Sequence, residues 1–94
     1  MNIRFYIDSD TSLPHIYKHK VTEEEVESVL SHPGEERLGR EGTRVTTGQT
    51  RAGRYLRVIY VPAPEYDSIF VITAYDLRGK ALLAYRRRRR SRER

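Results

Sequence analysis

His19, Arg57 and Tyr75 are residues whose side chains could take part in chemistry. Histidine can accept or donate a proton, so His19 is a candidate for proton transfer. Arg57 lies in a run of β-branched and aromatic residues, and its planar guanidinium could bind a phosphate through two parallel hydrogen bonds. Tyr75 ends a second such run, and either Tyr75 or Tyr60 could act as a weak acid or stack on a nucleobase. Of the two, we favour Tyr75. The simpler alternatives are a histidine that hydrogen-bonds a helix-end carbonyl, a solvated arginine and a core tyrosine.

Other kinds of site find little support in the chain. The absence of cysteine excludes a disulfide scaffold, a thiolate nucleophile and a cysteine-ligated zinc site. His15 and His19 have the spacing of two metal ligands on one helical face, but the glutamate of the metalloprotease pattern is missing. We therefore predict that the chain uses neither a metal nor a cofactor.

Charge is distributed unevenly along the 94 residues. Residues 86–94 hold seven Arg and one Glu, a net charge of +6, so the remaining residues sum to −1 of the total of +5. Residues 1–36 sum to −5 and residues 37–60 to +5. This separation favours one acidic and one basic face. The basic face could bind RNA or an acidic partner protein. The arginine run at residues 86–90 has the same two interpretations, and a third is that it forms a solvated tail without a partner.

Length and hydropathy predict a single small domain in the cytoplasm. No apolar run approaches the ~20 residues that span a bilayer. The first five residues lack the apolar core of a signal peptide. We place the domain at residues 1–90 and expect residues 91–94 to form a basic, frayed tail.

The two β-rich runs lie within Arg54–Tyr75 and flank a Pro-containing loop, which predicts adjacent antiparallel strands. A third strand is predicted at residues 44–50, joined to the next by a three-residue loop at 51–53. This loop length would pair Gly48 with Leu56, Thr46 with Val58 and Arg44 with Tyr60. Residues 3–7 and 35–43 are candidates for short edge strands.

Alternation along these strands predicts two different sheet faces. Leu56, Val58, Ile69 and Val71 would lie under the helices, together with Thr73. The opposite face would be mixed in character and could meet a ligand or a final helix. Its predicted members are Thr47, Gln49, Tyr55, Arg57, Ile59, Phe70, Ile72 and Ala74.

Three helices are predicted around this sheet. Ser12 could cap a short helix that ends near Lys20. Thr22 and Glu25 have the spacing of a capping box, and the helix that they begin is stopped by His32-Pro33-Gly34. A terminal helix is predicted from Lys80 to about Arg90. The predicted fold is thus α+β, with two N-terminal helices on a three- to four-stranded antiparallel sheet and a C-terminal helix.

Several short motifs resemble those of the BrnT-like branch of the RelE-like fold, and in order they cover nearly the whole chain. The N-terminal motifs are Phe5-Tyr6-Ile7-Asp8 and Lys18-His19-Lys20-Val21-Thr22-Glu23-Glu24-Glu25-Val26. The strand motifs are Gly48-Gln49-Thr50, Gly53-Arg54, Leu56, Val58, Tyr60 and Ile72-Thr73-Ala74. The chain departs from the family at His15, Lys20, Arg57 and Tyr75, the last of which replaces an arginine.

The resemblance implies a small toxin that cleaves RNA without a metal and is neutralised by a cognate antitoxin. It places the site near the strand ends and the terminal helix. The implied catalytic residues are His19, Arg57 and Tyr75, and the implied RNA-binding residues are Arg54, Lys80, Arg86, Arg87 and Arg90. Because the family arginine is replaced at Tyr75, the competing hypothesis is a non-catalytic RNA- or protein-binding module of the same fold.

Overall fold

The computed structural model describes residues 2–92, which form five strands, two α-helices and three 3-10 turns. The strands are β1 (Asn2–Phe5), β2 (Glu35–Leu38), β3 (Arg44–Gln49), β4 (Tyr55–Ala63) and β5 (Ser68–Asp76). The helices are α1 (Glu23–Ser31) and α2 (Gly79–Arg92), and 3-10 turns lie at His15–His19, Arg40–Gly42 and Pro64–Tyr66.

The five strands form one mixed sheet in the order β1-β5-β4-β3-β2. Three neighbouring pairs are antiparallel, whereas β1 runs parallel to β5 with Phe5 opposite Val71. The predicted three- to four-stranded antiparallel sheet is therefore wrong. Parallel strands are joined by long connections, so nothing in the local pattern of β1 identifies its partner near the other end of the chain.

The predicted helix from Ser12 to Lys20 is also wrong. Ser12 has a φ of 59°, which is left-handed and does not begin a helix. Pro14 is extended, with a ψ of 135°, and forms an antiparallel bridge with Ile7. Only the 3-10 turn His15–His19 remains, and it ends at Lys20, whose φ is 58°. A segment this short cannot propagate an α-helix, so one N-terminal α-helix packs on the sheet instead of two.

The α1 helix begins at the predicted capping box. The Glu25 N–H donates to the Thr22 hydroxyl, and the Thr22 N–H donates to the Glu25 carboxylate. Val26 and Val29 on its inner face are fully buried against the sheet. The core cluster consists of Ile16, Val21, Val26, Val29, Leu56, Val58, Ile69, Val71 and Ala74. It includes all four aliphatic residues predicted to lie under the helices, and burying each contributes about 1.5–3 kcal/mol.

The predicted register between β3 and β4 is confirmed. The observed pairs include Gly48 with Leu56, Thr46 with Val58 and Arg44 with Tyr60. The connecting turn is closed by a hydrogen bond from the Thr50 N–H to the Arg54 carbonyl, and Gly53 supplies the positive φ of 100° that it needs. A local turn and a local alternation are thus enough to fix this hairpin.

Strand β5 departs from the predicted alternation at a β-bulge. Ile59 lies opposite Thr73 and Tyr60 lies opposite Val71, so Ile72 is the extra residue. The residues after the bulge consequently exchange faces. Ala74 is buried in the core, whereas Thr73 lies on the opposite side, which is the reverse of the prediction for both.

Helix α2 runs slightly longer than the predicted 80–90, and Tyr85 is its one buried side chain, at 4% exposure. Of the tail predicted to fray, Ser91 and Arg92 belong to α2, and residues 93 and 94 lie outside the described range. Neither helix within residues 2–92 is long and apolar enough to span a bilayer.

Candidate functional site

The sheet face turned away from α1 carries a row of polar side chains, and we call it the open face. Thr47, Arg57 and Tyr75 lie directly opposite one another on β3, β4 and β5. Side chains paired in this way point to the same side of the sheet, with Cβ atoms about 4.5–5.5 Å apart. Two of the three predicted catalytic residues are therefore neighbours on the open face.

Arg57 has no partner for its charge among the described residues. The side chain is partly buried, and its Nε is fully buried without a hydrogen bond. None of the ion pairs formed within residues 2–92 includes it. The Oγ1 of Thr73, diagonal to Arg57 on the same face, is also buried and unpartnered. Buried polar groups usually have a partner, and these two atoms are exceptions. The Nη atoms of Arg57 are not among the buried atoms and form no hydrogen bond within residues 2–92, so they are the donors left for a ligand such as an anion.

His19 lies beside Tyr75 at the edge of the sheet. Strand β1 pairs only with the first part of β5, and the 3-10 turn His15–His19 packs beside the rest. The His19 and Tyr75 rings meet edge to face, with centroids 6.1 Å apart. They border a cleft of about 330 Å³ whose lining residues are Lys18, His19, Lys20, Tyr75, Asp76 and Arg78. This edge cleft is mostly basic, so it suits an anionic ligand next to a group that can carry a proton.

His15 is held behind His19 by a buried carboxylate. Its Nδ1 lies 3.1 and 3.2 Å from the two carboxylate oxygens of Asp8, which is 7% exposed. Lys18 reaches the same carboxylate at 3.5 Å. The His15 and His19 rings pack edge to face at 5.3 Å, so the Asp8 carboxylate fixes the ring against which His19 rests. The sequence carries no signal for this pair, because Asp8 and His15 are seven residues apart and belong to no common motif.

Arg54 lies on the α1 side of the sheet and is fully engaged there. Its Nε donates to Asp76 at 2.6 Å, and its Nη1 donates to Glu25 at 2.9 Å. The two Nη atoms also donate to the backbone carbonyls of Lys20 and His19, at 2.7 and 3.3 Å. Arg54 was predicted to bind RNA, yet this geometry makes it the clamp that holds the His19 segment against α1 and β5.

The Arg54 clamp shifts the pKa values of the groups that it joins. Hydrogen bonds, first from Arg54 and then from Arg78, lower the pKa of Asp76 from 3.8 to about 2. The pKa of Arg54 is raised, chiefly by its hydrogen bond to Asp76. Burial opposes ionisation of Glu25, but the Thr22 N–H and Arg54 outweigh it and lower the Glu25 pKa. The clamp therefore keeps both carboxylates ionised.

The arginine run on α2 divides into two groups. Arg88 forms a bidentate ion pair with Glu35, at 2.7 and 2.9 Å, and Arg89 donates to the Gly34 carbonyl at 2.7 Å. These two residues attach α2 to the body. The Arg86 guanidinium lies over the Tyr55 ring, 5.9 Å from its centroid. Lys80, Arg87 and Arg90 are exposed, and no hydrogen bond or ion pair holds them within the described residues.

The structure thus places Tyr75 next to both Arg57 and His19, whereas the other predicted residues lie on α2 or on the α1 side of the sheet. Arg86 reaches the same open face through Tyr55, which lies two residues before Arg57 on β4. Lys80, Arg87 and Arg90 stay on α2, and Arg54 lies on the far side of the sheet. Strand alternation predicts that Arg54 and Arg57 lie on opposite faces of the sheet. Arg54 is two residues from Leu56 and therefore shares the face of this predicted core residue.

No group of three or more His, Asp or Glu side chains among residues 2–92 converges to hold a metal ion. No protein-family model matches the chain, and comparisons with curated proteins and with solved structures return no match. The geometry of the open face is therefore the basis for a functional assignment.

Proposed function

We propose that the protein is a metal-independent endoribonuclease that uses the internal 2′-hydroxyl of RNA as nucleophile and acts as the toxin of a toxin–antitoxin pair. The supporting observation is the unpartnered, half-buried guanidinium of Arg57 beside Tyr75, with the His19 ring next to Tyr75. A protein that leaves such a donor unmatched is suited to an anionic ligand, and the basic edge cleft continues the same surface.

The three side chains supply the three requirements of this cleavage. The 2′-oxygen attacks phosphorus, and His19 accepts its proton. Arg57 binds the non-bridging oxygens and stabilises the negative charge that develops on them. The bond from phosphorus to the 5′-oxygen breaks, and Tyr75 donates a proton to that leaving oxygen. The products are a 2′,3′-cyclic phosphate and a free 5′-hydroxyl.

The exposed arginines of α2 are suited to binding the rest of the RNA strand and the antitoxin. Arg86, Arg87 and Arg90 would contact phosphates outside the cleaved bond, with Lys80 at the start of the same helix. An acidic antitoxin that covers these residues would block RNA at the same time. Both partners belong to the cytoplasm, where we place the protein.

A cleavage assay with purified protein and single-stranded RNA in EDTA tests the proposal. The wild type is expected to cleave and to leave a 2′,3′-cyclic phosphate. Arg57→Ala should lower the rate about 100- to 1000-fold, the usual effect of removing one charge-stabilising donor. His19→Ala should lower it about 100- to 10,000-fold. Arg40→Ala removes a positive charge from the exposed Arg40–Gly42 turn and serves as the matched control, with wild-type activity expected.

The outcomes separate the two function classes. RNA binding without cleavage would overturn the enzyme and leave the non-catalytic binding module, which the replacement of the family arginine by Tyr75 favours. Cleavage that survives both Arg57→Ala and His19→Ala would overturn the site. Loss of cleavage on addition of EDTA would overturn the metal-independent mechanism.

A further inference from the structure

A second cleft, which we call the α2 cleft, lies between α2, the start of β4 and residues 32–34. Its volume is about 340 Å³. Its lining includes Gln49, Tyr55, Tyr85, Arg86, Arg89 and Arg90. An aromatic floor surrounded by guanidinium groups is the composition that binds the bases and phosphates of single-stranded RNA. We propose that the α2 cleft is a nucleobase subsite in which a base stacks on Tyr55; this inference rests on the proposed action on RNA.

The Tyr55 ring is held in a fixed orientation. It packs edge to face on Tyr85, with centroids 6.0 Å apart, and Tyr85 is buried. Gly34 makes this arrangement possible, because a Cβ at this position would overlap the Tyr85 hydroxyl. A ring that is already fixed loses little conformational freedom when a base stacks on it.

Polar side chains around Tyr55 could contact the face and the edge of a base that stacks on its ring. Arg86 lies over the ring at 5.9 Å and provides a second planar, charged neighbour for a stacked base. Gln49 lies opposite Tyr55 on β3, and its Nε2 donates to the Gly53 carbonyl at 3.1 Å. The Gln49 Oε1 remains available to accept a hydrogen bond from the edge of a base.

The position of the α2 cleft relative to Arg57 supports one continuous strand of RNA. Tyr55 and Arg57 are two residues apart on β4 and share the open face, so their Cα atoms are about 6.8 Å apart. A base on Tyr55 would therefore belong to a nucleotide next to the phosphate at Arg57. The larger cleft of about 600 Å³ beside α1 is less suitable, because the carboxylates of Glu24 and Glu27 line it and would repel a polyanion.

Binding of a short 2′-O-methyl RNA, measured by fluorescence anisotropy, tests the subsite without requiring cleavage, because this RNA has no free 2′-hydroxyl. Tyr55→Leu should weaken binding about 5- to 150-fold, the range for loss of one stacked base. Tyr55→Phe keeps the ring and should bind as the wild type does. Tyr66→Leu removes a tyrosine that is 74% exposed in the β4–β5 connection and is the matched control, with no change expected.

Two further measurements separate stacking from indirect effects. On an RNA of the same length without bases, Tyr55→Leu should bind as the wild type does, since there is no base to stack. Arg86→Gln should reduce the slope of log affinity against log salt by about 0.7, whereas Tyr55→Leu should leave that slope unchanged. Circular dichroism and the urea midpoint verify that each variant is folded.

The subsite and the nuclease fail in different ways. If the wild type cleaves RNA and Tyr55→Leu binds as tightly as the wild type, the subsite is overturned and the proposed function stands. If Tyr55→Leu weakens binding as expected but the wild type does not cleave RNA, the subsite stands and the nuclease is overturned. A wild-type protein that does not bind the 2′-O-methyl RNA overturns both.

Discussion

Replacing Arg57 by Met should lower the rate of RNA cleavage about 100- to 1000-fold without destabilising the fold. The Arg57 stem packs on the open face while its guanidinium finds no partner within residues 2–92. Methionine is unbranched and of similar length, so it keeps the packing of the stem and removes the unmatched donors. The substitution therefore separates a group that acts on a ligand from one that supports the structure.

The size of the effect follows from the burial of the Nε. A buried donor without a partner costs about 1–3 kcal/mol. The rest of the Arg57 side chain is reached by water, so we take the low end and expect the free energy of unfolding to rise by up to about 1 kcal/mol. For a domain of this size, 1 kcal/mol corresponds to a rise in Tm of about 4–8 °C.

Urea unfolding of the wild type and Arg57→Met measures the difference as a shift of the midpoint at constant slope. The cleavage assay with the same two proteins shows whether activity is lost independently. A fall in the free energy of unfolding of 1 kcal/mol or more would refute the reasoning, because it would mean that the guanidinium has a structural partner in solution. Arg54→Met is the matched control, since it removes the same group from a site where every nitrogen is engaged.

Three other predictions concern the groups that hold this site in place. Arg54→Met should lower the free energy of unfolding by about 2 kcal/mol in urea, less than for a fully buried pair because the site is partly exposed. Since the pKa of Asp76 is lowered from 3.8 to about 2, its stabilisation is present above pH 3.8 and is lost as the pH falls towards 2. Between pH 3.8 and pH 2 the free energy of unfolding of Asp76→Asn should therefore fall by about 2 kcal/mol less than that of the wild type. An equal fall for the two proteins would contradict the ion pair. Gly34→Ala should lower stability by about 1–3 kcal/mol because its Cβ overlaps the Tyr85 hydroxyl, and Gly34→Ala combined with Tyr85→Phe should recover part of that loss in the same urea assay.

The elements that could be predicted from the sequence are those determined by interactions between residues close in the chain. The capping box of Thr22 and Glu25 lies within a single helical turn, and the β3–β4 register follows from a short turn at Gly53 and the alternation on either side. The buried Leu56 and Val58 follow from that same alternation. Each of these features needs only residues that are close in sequence.

The features that could not be predicted depend on distant parts of the chain. Strand β1 and its partner β5 are far apart in the sequence and meet only in the folded sheet. The 3-10 turn at His15–His19 packs against the same strand β5. The pairing of Asp8 with His15 arises in the same way, since the bridge between Ile7 and Pro14 brings them together. Periodicity in the residues 12–20 suits a helix as well as it suits this turn.

The bulge at Ile72 is the feature that connects the fold to the proposed site. In an unbroken ladder Thr73 and Tyr75 would share the core face with Val71, and Tyr75 would point away from Arg57. The extra residue reverses the faces, so that Tyr75 lies opposite Arg57 and next to His19, while Ala74 fills the core. β-Bulges are common beside active sites because they redirect side chains in this way. The one irregularity in β5 is thus what places the three candidate catalytic residues together, and strand alternation alone could not have revealed it.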